Sequence, residues 1–209
     1  MPFDLAVIDL DNTLYAANNG VFARMDRRMT TFVANELGLA ESLANDLRLR
    51  YWKQYGTTLR GMMLHHGMKP EPFLEYVHDI DVHELLEQDD DLDAALERLP
   101  GKKVVHTNGT KEHAGRVLES LGIHNHFNAI YDIRFNDYIP KPCQQTLINL
   151  IRSEESSPPR TLVVDDMANN LQAAKEAGCK TVRITHEQGG SWDFHIPKFH
   201  HLPDALGVV

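Results

Sequence analysis

A chain of 209 residues with a formal net charge of −9 is long enough for one sizeable core, or for a core carrying a smaller insert. It is too acidic to hold a polyanion along an open surface. No basic stripe interrupts that balance, so nucleic-acid polymers are not expected partners, and an anionic substrate requires cations gathered at the site itself. Hydrophobic residues at 42% and charged residues at 24% place the chain among globular proteins rather than disordered ones. Cys143 and Cys179 form neither a CxxC pair nor a His/Cys cluster, which leaves a disulfide framework or structural zinc without support. The first residues lack the basic and long apolar regions of a signal peptide, and no apolar run approaches the ~20 residues of a bilayer span. A cytoplasmic protein with no membrane contact, monomeric or homodimeric, is the expectation.

Residues 5–10 form a short apolar run rich in strand formers, broken by Asp9, and read as a buried strand ending in acid. Between about residues 21 and 99 the pattern becomes helical. Met25, Met29, Phe32 and Val33 recur at helical spacing, as do Leu43, Leu47 and Tyr51, with glycines and prolines as punctuation. Strand signals return at residues 103–107, 129–133, 161–165 and 181–184, the last clear strand. They are separated by helices that carry Ala114, Val117, Leu118 and Leu121, then residues 144–151, then residues 169–177 stopped by Gly178. Strands and helices alternating at this length predict an α/β fold, a doubly wound, Rossmann-like parallel sheet. The helical block interrupts the alternation and is assigned as an all-helical cap. The expected division is residues 1–16 and 100–209 for the core and 17–99 for the cap. Residues 153–159 read as an exposed loop, and the tail from 186 to 201, with Trp192, Phe194 and Phe199, is expected to fold back over the core.

Ligands of open α/β sheets bind beyond the carboxyl ends of the strands. Three apolar runs end there in polar clusters: Asp9-Leu10-Asp11-Asn12-Thr13, Thr107-Asn108-Gly109 and Asp165-Asp166. Lys141 follows Pro140 in a loop that can join them. Four carboxylates in one crevice stay ionised only if a cation shares the site. Oxygen-only ligands suit Mg²⁺, held by Asp9, Asp11, Asp165 and Asp166 together with substrate phosphate oxygens. Asp166 is read either as a second metal ligand or as the group orienting Lys141. Mg²⁺ and Lys141 would neutralise a phosphoryl dianion, so an anionic carboxylate can approach phosphorus. Asp9 is then the nucleophile and Asp11 the general acid, with the Thr107 hydroxyl and the Asn108 N–H on non-bridging oxygens and Gly109 permitting close approach. Each has a blander reading: a charged strand end for Asp9 and Asp11, a helix cap for Thr107 and Asn108, a solvated side chain for Lys141. Adjacent histidines at 65–66 and 200–201 point apart, so packing or surface roles are preferred to metal binding.

Taken together, these residues resemble the haloacid dehalogenase superfamily. Its four motifs are matched in order by Asp9-Leu10-Asp11-x-Thr13, Thr107-Asn108-Gly109, Lys141 before proline, and Asp165-Asp166 followed by Asn169 or Asn170. A narrower resemblance is to the pyrimidine 5′-nucleotidase branch, carried by residues 11–15, 55–61 and 107–118. It implies hydrolysis of a small phosphomonoester such as UMP or CMP, with Tyr55 and Arg60 of the cap as substrate-binding candidates. Arg60 is equally well read as a salt-bridge partner. His106 stands where that branch commonly has an apolar residue, and Gly109 where it has alanine. Sugar-phosphate phosphatases and phosphomutases of the superfamily remain alternatives. A dehalogenase is disfavoured, since carbon–halogen cleavage needs neither Asp11 nor a metal. A phospho-aspartate signalling module is the alternative of a different class.

Overall fold

In the computed structural model, residues 3–187 and 189–208 are described. The first strand, β1 (Leu5–Ile8), is buried along its whole length. Strand periodicity sends Leu5 and Val7 into one apolar cluster and Ala6 and Ile8 into another, which is why the run is continuously apolar rather than alternating. The strands β2 (Lys102–His106), β3 (Ala129–Tyr131), β4 (Thr161–Asp165), β5 (Lys180–Ile184) and β6 (Phe194–Ile196) complete a parallel sheet in the order β3-β2-β1-β4-β5-β6. β1 lies at the centre, with β2 on one side and β4 on the other. The strand order therefore reverses at β1, and the crevice of the fold opens beyond its carboxyl end.

Helices cover both faces. Those between the later strands are α6 (Lys111–Ser120), α7 (Gln144–Ser153) and α8 (Ala168–Glu176). One cluster joins Leu5, Val7 and Val163 to Leu147, Leu150 and Ile151 of α7 and Leu171 of α8. The other joins Ala6, Ile8 and Val105 to Val117 and Leu118 of α6 and extends into the helical insert.

The insert between β1 and β2 carries α1 (Val21–Leu37), α2 (Glu41–Tyr55), α3 (Thr58–His66), α4 (Pro70–His78) and α5 (Asp90–Arg98), with no strand among the described residues. Gly38, at φ 63°, closes α1 and donates its N–H to the Ala34 carbonyl. The Thr57 hydroxyl caps α3 by accepting from the Arg60 N–H, and the Asp89 carboxylate caps α5 by accepting from Leu92. α1 packs on both α2 and α4, and α3 packs on α2. α5 rests on the tail of the chain: Arg98 Nη2 donates to Asp204 Oδ1 at 2.7 Å and to the Val208 carbonyl at 2.6 Å. Across the insert–core boundary, Arg134 grips Glu71 of α4 through Nε at 3.0 Å and Nη2 at 2.8 Å. The Tyr138 hydroxyl adds a third donor at 2.6 Å.

Two expectations are corrected. The third strand stops at Tyr131, because Ile133–Asn136 coils into a 3₁₀ turn once the Asp132 carboxylate accepts from the Arg134 N–H. The tail does more than fold over the core. Its segment Phe194–Ile196 adds β6 to the edge of the sheet beside β5, anchored by Asp193 Oδ2 accepting from the Thr181 N–H at 2.9 Å. Three residues are too few for alternation to announce a strand. Phe199 of the tail is buried as expected.

Gly61 lies where α3 crosses α2. A Cβ there would stand 2.2 Å from Cγ of Tyr51. Helix propensity alone favours Gly61→Ala by ~1 kcal/mol, whereas overpacking costs ~1–3 kcal/mol. Gly61→Ala is expected to lower the urea midpoint; an unchanged or higher midpoint would refute the close crossing.

Candidate active site

The crevice beyond β1 is built from four segments. The Asp9 N–H continues the ladder to the Val164 carbonyl at 2.9 Å, fixing the residue at the strand's end. The chain then turns through Asn12 at φ 64°, with Leu14 N–H returning to the Leu10 carbonyl at 3.0 Å. That turn places Thr13 so that its hydroxyl donates to Asp9 Oδ2 at 2.9 Å and accepts from the Asp166 N–H at 3.1 Å. Thr13 thus ties the end of β1 to the end of β4. After β2, the Thr107 hydroxyl accepts from the Gly109 N–H at 2.9 Å. The Asn108 side chain accepts from the Lys141 N–H at 2.8 Å and so fixes the loop that delivers this lysine.

Lys141 is buried at the centre. Its ammonium donates to Asp9 Oδ1 at 2.5 Å, to the His106 carbonyl at 2.8 Å and to Asp165 Oδ2 at 3.1 Å. Burial opposes this charge, but Asp165 and Asp9 outweigh it and raise the Lys141 pKa, so the ammonium stays protonated. Asp165 is held in turn by the Met167 N–H at 2.8 Å and by Asn170 Nδ2, 3.0 and 2.9 Å from its two oxygens. Oxygens of Asp9, Asp165 and Asp166 lie within 4.8 Å of one another. Burial, with Asp165 and Asp166 alongside, pushes the Asp9 carboxyl up to about 8 against the pull of Lys141. Burial and Asp165 push Asp166 to about 6. Three close carboxylates facing one ammonium leave excess negative charge on hard oxygen donors. That donor set fits an oxygen-preferring divalent cation, which would relieve both shifts.

Asp11 stands apart from this trio. Its Oδ1 accepts from the Tyr15 hydroxyl and lies 3.2 Å from Nε2 of His113, a fully buried residue of α6. An ionised carboxylate only accepts, so Nε2 carries the proton toward it. Burial alone would raise Asp11, but the His113 and Tyr15 donors hold it below its ordinary value. His78, from the end of α4, packs its ring 4.9 Å from that of His113. A Cβ on Gly109 would lie 3.3 Å from His78 Nε2, so the glycine leaves room for this ring from the insert.

Asp9, Asp11, Thr107, Asn108, Gly109, Lys141 and Asp166 line a cavity of about 350 Å³ whose far wall is the helical insert. Asp165 sits behind Lys141 and does not line it. Tyr55 and Arg60 line a neighbouring groove instead, beside Asn108, Lys141 and Asn170, and the Tyr55 hydroxyl is 2.6 Å from Nε2 of His65. His113, Tyr15, His78, Asp26 and Arg48 were not singled out from the sequence. His113 leaves a trace there, since it sits one turn before Val117 on the apolar face of α6. Asp26 and Arg48 leave none, because a charge beside an apolar stripe looks the same on a solvated helix.

Fold and site together define a doubly wound α/β protein with a carboxylate–lysine centre under a helical cap. The family model for haloacid dehalogenase-like hydrolases matches residues 3–178, and the chain belongs to that family. A relative in Saccharomyces cerevisiae, phosphate metabolism protein 8, is 27% identical over 187 residues, covering 81% of this chain and 58% of that protein. The chain therefore spans less than two thirds of that relative's length. Among solved structures, a HAD phosphatase from Thermococcus onnurineus superposes with a TM-score of 0.68 at 19% identity, each chain covered over 98%. The HAD-hydrolase YfnB of Bacillus subtilis, solved bound to magnesium, gives a TM-score of 0.68 at 14% identity over the full length of both chains. At these identities the two structures share the fold.

Burial lowers His78 to about 4, helped by His113, and lowers His106 to about 3, helped by Lys141. Unfolded, both titrate near 6.5, so below that pH the unfolded chain binds more protons than the native one. Their stabilising contribution is complete above pH 6.5 and is lost as pH falls toward 4 and 3. The loss is up to ~2 kcal/mol per ring between pH 6.5 and 5. His106→Leu should therefore lose less stability than the parent between pH 7.5 and 5 in urea titrations; an equal loss would place a charged imidazole at 106.

Proposed function

We propose that the chain is a Mg²⁺-dependent phosphomonoester hydrolase working through an aspartyl-phosphate on Asp9, with a pyrimidine nucleoside 5′-monophosphate as its favoured substrate. The carrying observation is the Asp9 carboxylate, gripped by Lys141 and Thr13 on the floor of a cavity that also exposes Asp11, Thr107 and Asn108. Such a carboxylate has one oxygen positioned by an ammonium and the other by a hydroxyl, which fixes its approach to a phosphoryl group. Attack by Asp9 forms the oxygen–phosphorus bond as the bond to the leaving alkoxide breaks. Asp11 gives that alkoxide its proton and later takes one from the water that hydrolyses the acyl phosphate. Both donors to Asp11 act on Oδ1, leaving Oδ2 for this proton. An incoming phosphate dianion raises the Asp11 pKa again, so Asp11 takes up a proton from solvent as the substrate binds. The Thr107 hydroxyl holds a non-bridging oxygen, and Lys141, whose three N–H groups stay on Asp9, His106 and Asp165, contributes its charge beside the phosphoryl group. When bound by Asp9, Asp165 and Asp166, Mg²⁺ supplies charge neutralisation.

The magnesium-bound YfnB and the name of the yeast relative support this reading. The proposal includes the division of the chain into a core of residues 1–16 and 100–209 and a cap of 17–99, within which α5 is the element returning to the core. It also includes a small-molecule substrate and a cytoplasmic location; among the described residues no helix is long and apolar enough to cross a membrane. Arg60 and Tyr55, in the neighbouring groove, are proposed to meet substrate at its entrance.

The test is phosphate release from a panel of phosphomonoesters. Release with Mg²⁺ and its loss on chelation are expected, and a panel with no release refutes the proposal. Asp9→Asn should abolish turnover; substantial residual activity would mean that water attacks phosphorus directly. Asp11→Asn should slow kcat by ~10²–10⁴-fold and accumulate phospho-enzyme in acid-quenched samples. Unaltered kcat would assign the proton to another group.

A further inference from the structure

The cap wall of the cavity is mostly apolar, formed by side chains such as Met25, Met29, Leu59, Phe73 and Trp52. Among the described residues, Asp26 and Arg48 are the two formally charged side chains that the cap contributes to it. Arg48 is buried, 5% exposed, and three groups on two helices fix its guanidinium. Nε donates to the Thr30 hydroxyl at 2.7 Å, and Nη2 donates to Asp26 Oδ2 at 2.5 Å and to Asn45 Oδ1 at 2.8 Å. These bonds use Nε and both protons of Nη2. Nη1 keeps two N–H groups with no partner among the described residues, and Asp26 keeps Oδ1. A brace between α1 and α2 would not require either member to line the cavity, yet both do.

We propose that Asp26 and Arg48 form a base-reading pair, accepting a hydrogen bond from a ring N–H or amino group and donating one to the neighbouring carbonyl or ring nitrogen of a pyrimidine. This deepens the proposed function and rests on it. The pair is neutral as a whole, so it matches a neutral group with donor and acceptor side by side; a second phosphate or a carboxylate would meet Asp26 at a penalty. The apolar walls match the faces of a flat ring. At about 350 Å³ the cavity falls within the ~300–1,000 Å³ range of small-molecule sites. A site built to hydrogen-bond its ligand rejects analogues lacking those groups, because its own polar atoms are then left unpaired.

The test measures kcat/KM of the full chain with Mg²⁺ for UMP, CMP, AMP and ribose 5-phosphate, which lacks a base. The parent should prefer UMP and CMP. In Asp26→Asn and in Arg48→Lys the UMP-to-ribose-5-phosphate ratio should fall at least tenfold, mainly through KM for UMP. If Arg48→Lys fails to fold, Asp26→Asn, of equal size, carries the test. A ratio within twofold of the parent in the folded variants overturns the pair as a reader and leaves it a helix brace. A parent that hydrolyses ribose 5-phosphate or AMP as well as UMP overturns the inference while the phosphatase reading stands. Release from no substrate defeats that reading itself, and the inference with it.

Discussion

Everything at the crevice is arranged around the Lys141 ammonium. It touches the ends of three strands at once: Asp9 after β1, the His106 carbonyl on β2 and Asp165 on β4. A buried ammonium is tolerated only when each of its three donors finds an acceptor, and here each does. The lysine in turn lets Asp9 and Asp165 approach closely without unopposed repulsion. Removing it would leave buried carboxylates facing one another, the costly kind of broken ion pair. Its own placement depends on Asn108, which binds both the N–H and, more loosely at 3.4 Å, the carbonyl of residue 141. The second and third motifs are thus one mechanical unit, although 33 residues separate them in the chain.

Much of this was legible in the sequence because sheet physics is local. A strand buried on both faces must be apolar throughout, so an aspartate ending such a run marks the strand's carboxyl end, where the fold binds ligands. That reasoning located Asp9, Thr107 and Asp165 and the helical insert between β1 and β2. It failed where tertiary contact decides. β6 is three residues long and exists because Asp193 and the neighbouring β5 hold it. Arg48 looks like any helical arginine until α1 is laid against α2. Tyr55 and Arg60 were selected by motif likeness, and the motif gives their order along α2 and α3 but not the side of Gly56 on which the cavity opens. A Cβ at Gly56 would meet the Lys141 carbonyl at 2.9 Å, so the insert touches the core closely at this point.

The contact between cap and core is polar at its rim and apolar inside. Arg134 holds Glu71 at one edge while Leu59, Phe73 and Leu74 bury against the shared cluster. The exposed members of that ion-pair group contribute little individually, so the apolar burial carries most of the cap's attachment. His78 joins the two halves at the most sensitive place. It is a cap residue, yet its ring packs at a tilt against that of His113, which touches Asp11. A Cβ at Gly109 would crowd that ring at 3.3 Å, so glycine eases the approach of the cap to the core here.

The two carboxylates proposed as nucleophile and acid are pushed apart by their surroundings, and in a direction that constrains how they can act. From the protein's own groups, burial and its acidic neighbours raise Asp9, whereas His113 and Tyr15 lower Asp11. A nucleophile needs the opposite of the first shift and an acid the opposite of the second. A divalent cation against Asp9 opposes the first, and a phosphoryl dianion against Asp11 opposes the second. Under the proposed mechanism, each reversal would be supplied by one component of the reaction.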